Sequence, residues 1–254
     1  QKMNSMKPLV FVLGGLFIII LMIPTLLVTP YMEQSKGQIA EELKPAQKEK
    51  AILAESPVDV PVYRSQQKRI ENIPLEEYVV GVVASEMPAE FEDEALKAQA
   101  LAARTYIVKR MMRNETMGAP KGSIVTDTQI HQVYNDKANL ASEWKNEYKS
   151  KLEKVTAAVA ATQGQILTYE DTPIDALFFS TSNGYTENSE AYWASAFPYL
   201  KRVDSSWDQD SPKFHDKKVI SINEFENKLG VKLSGDGSVG KIVEKTPGKR
   251  VATV

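Results

Sequence analysis

The chain has 254 residues, 43% of them hydrophobic and 25% charged, with a formal net charge of −2. This is the composition of a globular protein, and so balanced a charge excludes a global field that would draw in nucleic acid. The chain contains no cysteine. That removes disulfides, thiolate metal sites and cysteine nucleophiles together, and leaves the compartment open.

Residues 1–7 read as a short tail. From Pro8 to Val28 the chain runs "PLVFVLGGLFIIILMIPTLLV", and no charge stands between Lys7 and Glu33. About 20 apolar residues cross a bilayer core as a helix, so 8–28 is read as a single transmembrane helix. A buried helix in a soluble protein seldom stays apolar on every face for this length. The run also exceeds the ~7–15 residues of a signal-peptide core, and "VTPYMEQSKG" lacks an A-x-A-like cleavage site. Lys2 and Lys7 favour a cytoplasmic tail, although Lys36, Lys44 and Lys48 weaken that bias. Residues 33–57 are polar, highly charged and aperiodic, and read as a tether.

The folded domain is expected over 58–254, with an α+β mixture of helices and strands. A short strand is predicted at 58–65, then a helix from Pro74 to about Glu86. Proline suits a first helical turn, and Pro88 pushes Met87 out of the helix. A second helix spans about 90–114, rich in Ala, Leu, Lys and Gln with acids in its first turn. Residues 115–128 read as a loop. A third helix over 142–162 carries Trp144, Tyr148, Leu152, Val155 and Val159 on one face, and Gly164 suits its end. "QILTYEDTPIDALFFS" reads as two strands joined at 170–172. A polar loop follows; 199–203 and 217–222 are short strand candidates, and 222–230 is a short helix.

One acid stands out. Leu75, Tyr78, Val79, Val82 and Val83 form an apolar stripe at helical spacing, and Glu86 is its next member. Glu76 and Glu77 point elsewhere and are expected to meet water. Glu86 also sits in the last turn, where the helix dipole disfavours a negative charge, as does desolvation. Both effects favour the proton-bearing carboxyl that a general acid needs. The plainer alternative is a helix-end residue, or the partner of a buried arginine such as Arg104, which lies in the apolar run "ALAARTYIV" and needs a partner or ligand. Lys97 shares a face with Arg104, and its ordinary fate is a solvated lysine. The acids at 90–94 read as complements to a helix N-terminus.

The stretch "PLEEYVVGVVASEMPAEFEDEALKAQALAARTYIV", with "TDTQIHQVY", "ALFFSTSNGYTENSEAYW" and "FPYLKRVDSSWD", closely resembles the signature of the stage II sporulation protein D family. The resemblance covers most of the chain after residue 57. It implies a membrane-anchored lytic transglycosylase with an extracytoplasmic domain. Such an enzyme cleaves the β-1,4 bond between N-acetylmuramic acid and N-acetylglucosamine and leaves a 1,6-anhydro-muramyl end. It implies glycan strands stripped of stem peptides as substrate, a role in forespore engulfment, and an amidase and a multi-spanning membrane protein as partners. The family's catalytic glutamate falls on Glu86.

Such chemistry needs one carboxyl, whereas ordinary glycosidases generally need two; no metal or organic cofactor is called for. His131 in "QIHQVY" is a candidate contact, although a lone histidine is more often structural. Some relatives hold a metal near this segment through cysteines, which this chain lacks. Ser182 and Asn183 offer donors for sugar hydroxyls, or merely decorate a glycine turn. Tyr199 and Lys201 alternate on one side of a possible strand and could face a cleft. Lys97 and Arg104 complete the substrate-binding candidates. Family members usually continue to a "GHGVGMSQYGA"-like motif; this chain stops at "KRVATV", so an incomplete C-terminus is expected. Two rivals stay open: a non-catalytic glycan-binding scaffold, and a hydrolase whose second carboxyl is Glu90 or Glu187.

Overall fold

The computed structural model of the chain describes residues 53–235 and 239–254. The membrane span expected at 8–28, and most of the 33–57 tether, lie outside them. Among the described residues no helix is long and apolar enough to cross a membrane. The described chain mixes helices with short strands, as an α+β domain should.

Strands β1 (Asp59–Arg64) and β2 (Arg69–Pro74) form an antiparallel hairpin, in register from Asp59↔Pro74 to Arg64↔Arg69. β1 alternates as a half-buried strand should, sending Val60, Val62 and Arg64 inward. β2 is not expected from the sequence, because "RIENIP" has no period of two; only Ile73 of this strand is buried. A two-residue β3 (Val125–Thr126) pairs in parallel with β1 and completes the sheet order β2-β1-β3. It lies inside the stretch expected as loop.

Helix α1 (Leu75–Glu86) follows β2 directly, with Pro74 as its N-cap. Met87 is extended at φ −133° and ψ 132°, as a residue before proline should be. Tyr78, Val79, Val82 and Val83 are fully buried as predicted, but Val80, Gly81 and Ala84 are buried too. α1 is therefore enclosed around most of its girth. Helix α2 (Asp93–Met112) packs along it.

The helix expected at 142–162 is two helices. α3 (Lys137–Trp144) starts earlier because Asp136 caps it, accepting from the Asn139 N–H at 2.9 Å; a side-chain oxygen there satisfies a donor the helix leaves free. Lys145 takes φ 49° and ends it, since a left-handed residue cannot continue an α-helix. After a 3₁₀ turn at Lys145–Glu147, α4 (Tyr148–Ala161) packs against α1 and α2. The predicted stripe survives: Val155 and Val159 are buried, with Trp144, Tyr148 and Leu152 packed around them.

Beyond α4, β4 (Thr168–Tyr169) and β5 (Thr172–Pro173) make a small hairpin. Glu170 and Asp171 both have positive φ, 48° and 58°, the backbone of a two-residue hairpin turn. These strands are shorter than expected. The expected strands at 199–203 and 217–222 do not form: 199–203 and 217–221 are irregular and Ile222 already opens a helix; near the first, a single bridge joins Tyr185 to Asp204. Helix α5 (Ile222–Leu229) ends on Gly230 at φ 65°, as read. An unanticipated hairpin, β6 (Glu244–Lys245) and β7 (Val251–Thr253), lies near the end. The chain is also held against the domain ahead of β1. Leu53 packs on the core, and the Gln163 amide bonds both the N–H and the carbonyl of Ala54.

Candidate active site

The last turn of α1 meets the segment 131–136, which leads into α3. The contact is close because residue 81 is glycine. A Cβ there would stand 2.3 Å from Tyr134 Cε2 and 2.7 Å from the Asn135 carbonyl oxygen. Two amides of the segment then bond to α1. The Asn135 N–H donates to Ser85 Oγ at 3.1 Å, while Ser85 Oγ donates to the Gly81 carbonyl at 2.6 Å. The Val133 N–H donates to Glu86 Oε1 at 2.7 Å. Tyr134 stacks on Tyr78, with centroids 5.5 Å apart, and the Tyr78 hydroxyl donates to Gln132 Oε1 at 3.2 Å. Burial, with smaller contributions from Tyr106 and Glu86, pushes the Tyr78 phenol well above its ordinary range, so it remains a neutral donor.

Glu86 is half-buried at the rim, where α1 leaves the core, rather than carried into it. One carboxyl oxygen is held by a main-chain amide. The other meets no protein donor among the described residues. A carboxyl so oriented can carry a proton on Oε2 and give it up without losing its anchor.

Glu76, expected in water, is buried, and it is the partner of Arg104: Nη2 to Oε2 is 2.7 Å and Nε to Oε1 is 3.0 Å. Glu76 turns inward because α1 is enclosed on nearly every side. The remaining Arg104 N–H groups reach Thr162 Oγ1 and the carbonyls of Gln165 and Val159. At 1% exposure Arg104 pins α1, α2 and the end of α4 together, and all five of its donors are used. Glu86 is therefore not its partner.

The other candidates are spread over the domain. Lys97 is partly exposed on α2 and pairs with Glu94 at 2.7 Å. His131 Nδ1 accepts from the Thr126 N–H at 3.1 Å, and Nε2 lies 3.1 Å from the Met117 carbonyl. The proton therefore sits on Nε2, and burial holds the ring below its ordinary pKa. His131 joins β3 to the loop before it. Ser182 is buried, with Oγ 2.6 Å from Ser205 Oγ. Asn183 is exposed and donates to the Gly248 carbonyl at 2.9 Å. Tyr199 donates to Asp175 at 3.3 Å, and exposed Lys201 pairs with Glu190 at 2.9 Å. The two acids considered as a second carboxyl are occupied. Glu90 pairs with Lys151 at 2.6 Å. Glu187 accepts from Thr246, the Gly248 amide and Arg250. Burial opposes the shift, but those donors hold Glu187 below the usual carboxylate range.

Sequence reasoning missed Ser85 and Gly81, which seat the segment facing Glu86. The available signal was a lone glycine inside the apolar run "YVVGVVAS".

A family model described as "Stage II sporulation protein" matches residues 63–169. The chain is 56% identical over 255 residues to stage II sporulation protein D of Bacillus subtilis (strain 168), covering 98% of this chain and 74% of that protein. It is 54% identical over 256 residues to stage II sporulation protein D of Bacillus amyloliquefaciens, with the same coverage. The chain belongs to the stage II sporulation protein D family. A protein named amidase enhancer, also from Bacillus subtilis (strain 168), is 38% identical over 120 residues, covering 47% of this chain and 14% of that protein. The stage II sporulation protein match at 63–169 takes in Glu86, Lys97, Arg104 and His131, while Ser182, Asn183, Tyr199 and Lys201 fall beyond it.

Proposed function

We propose that this chain is a lytic transglycosylase of peptidoglycan, with Glu86 as its single acid and base. The observation that carries the reading is the Glu86 carboxyl, fixed through Oε1 by the Val133 amide at 2.7 Å, with Oε2 left open at a half-buried rim. The resemblance of the surrounding sequence to the stage II sporulation protein D signature supports the substrate class.

In the proposed reaction Glu86 Oε2–H protonates the glycosidic oxygen as its bond to C1 of N-acetylmuramic acid breaks. Positive charge develops on C1 and the ring oxygen. The Oε2 anion then takes the proton of the sugar's own 6-hydroxyl while O6 bonds to C1. The products are a free 4-hydroxyl on N-acetylglucosamine and a 1,6-anhydro-muramyl end. No water is consumed, and the carboxyl returns to its starting state. Occupation of Glu90 and Glu187 by other partners disfavours the two-carboxyl hydrolase. Lys97, Asn183 and Lys201 keep polar groups at least partly exposed and are the proposed contacts for the glycan.

We place the domain on the extracytoplasmic side, anchored by the apolar run 8–28 and acting in sporulation. The likeness to an amidase enhancer supports a cell-wall amidase as partner, and a multi-spanning membrane protein fits the same setting. The test incubates the full chain with peptide-stripped glycan strands and weighs the products. Anhydro ends that disappear in Glu86→Gln are expected. Reducing ends one water heavier overturn the reading in favour of a hydrolase; binding without cleavage overturns it in favour of a glycan-binding scaffold.

A further inference from the structure

Arg64 is the other deeply buried arginine, with 2% of its side chain exposed, and no step above uses it. It ends β1 and faces three carboxylates from three parts of the chain. Nη1 reaches Glu71 on β2 at 2.9 Å, Nε reaches Asp127 at 3.2 Å, and Nη2 reaches Asp136 at 2.9 Å. Its guanidinium also lies over the Tyr134 ring, 5.0 Å from the centroid. Asp127 and Asp136 are the two ends of the segment that carries Val133. The neck is tightened further: Asp127 Oδ1 accepts from the Ser65 N–H at 3.0 Å, and the Tyr134 N–H donates to the Asp127 carbonyl at 3.3 Å.

We propose that Arg64 is the positioning residue for Glu86: by clasping both ends of 127–136 and the ring of Tyr134, it sets the Val133 amide on the Glu86 carboxyl. This rests on the reading of Glu86 as the reacting group. Among the described residues no cation pairs with Glu86, and its side chain bonds only to that amide. The orientation of Oε2 is therefore set by a main-chain group whose own place depends on the clasp. A guanidinium suits the task because its planar fork binds two or more carboxylates at fixed angles, whereas an ammonium is a point charge.

The test uses two variants of the full chain, Arg64→Lys and Asp136→Asn. Lysine keeps the charge and loses the fork. Asparagine keeps one oxygen for the α3 cap and cannot also accept from Arg64. Amide hydrogen exchange is read at Val133 and, as a core reference, at Ile107; kcat and KM are read on glycan strands. Exchange at Val133 is expected to rise by about fivefold or more while Ile107 is unchanged. kcat is expected to fall about tenfold to a hundredfold with KM unchanged, the signature of a reacting group slightly misplaced. Unchanged Val133 exchange in both variants overturns the clasp, as does faster exchange with unaltered kcat. Global unfolding of both variants also overturns it, since the cluster would then hold the whole fold. An inactive wild type sinks the transglycosylase reading alone, because exchange at Val133 still decides whether Arg64 holds the segment.

Discussion

Arg104 on α2 and Glu76 on α1 stand 28 residues apart in sequence and 2.7 Å apart in the fold, both buried. Removing one member leaves a lone charge in the core, which costs about 3–5 kcal/mol. Glu76→Ala is expected to lose about that much, read as a lower urea midpoint. Replacing both residues together by apolar side chains of similar volume should cost much less.

Gly81 is where the 131–136 segment rests on α1. Gly81→Ala puts a methyl well inside van der Waals contact distance of Tyr134 and of the Asn135 carbonyl. Overpacking of this kind costs about 1–3 kcal/mol. Thermal unfolding should show that loss, and glycan cleavage should fall with it, since Val133 is displaced along with Tyr134.

Glu86 separates its structural and chemical parts by substitution. In Glu86→Gln the amide oxygen still accepts from the Val133 N–H, so stability should stay within about 0.5 kcal/mol of wild type while turnover vanishes. Glu86→Ala removes the acceptor as well and should cost about 1–3 kcal/mol more, the penalty for an amide left without its partner. Equal stability of the two variants by urea unfolding would show that the bond to Val133 contributes nothing.

Acid should release the 127–136 segment. Burial works against it, but the Asn139 amide and Arg64 hold Asp136 below the usual carboxylate range in the folded state. The unfolded value is about 3.9. The contribution of Asp136 is thus full above about pH 4 and is lost as pH falls through the lower folded value. Glu187 behaves likewise near its own unfolded value of about 4.3. Tyrosine fluorescence followed from pH 6 to pH 2 should show a loss of packing below about pH 4 that Asp136→Asn shifts or removes.

Periodicity carried the helices because a helix buries a face on its own spacing. Leu75 through Val83 and Val155 through Val159 follow that spacing, and both runs are core. Proline and glycine punctuation marked α1 at Pro74 and Met87, and α5 at Gly230. The strands were mostly hidden, since β2 alternates poorly and β3 is two residues long. Their pairing depends on which neighbours the chain brings alongside, and no local pattern records that.

The candidate site divides in the same way. The sequence by itself singled out Glu86, because a carboxyl at the end of an apolar helical stripe is odd in any fold, and it brought Arg104 forward because a buried cation needs a partner. It could not say which acid that partner is. Helical spacing sends Glu76 to water only if α1 has one wet face, and the tertiary structure encloses that face. Likewise, only the fold brings the Val133 amide to Glu86, and Asp127, Asp136 and Glu71 to Arg64. Helical spacing is a local property written in consecutive residues. A hydrogen bond across 47 or 72 positions exists only once the chain has closed on itself.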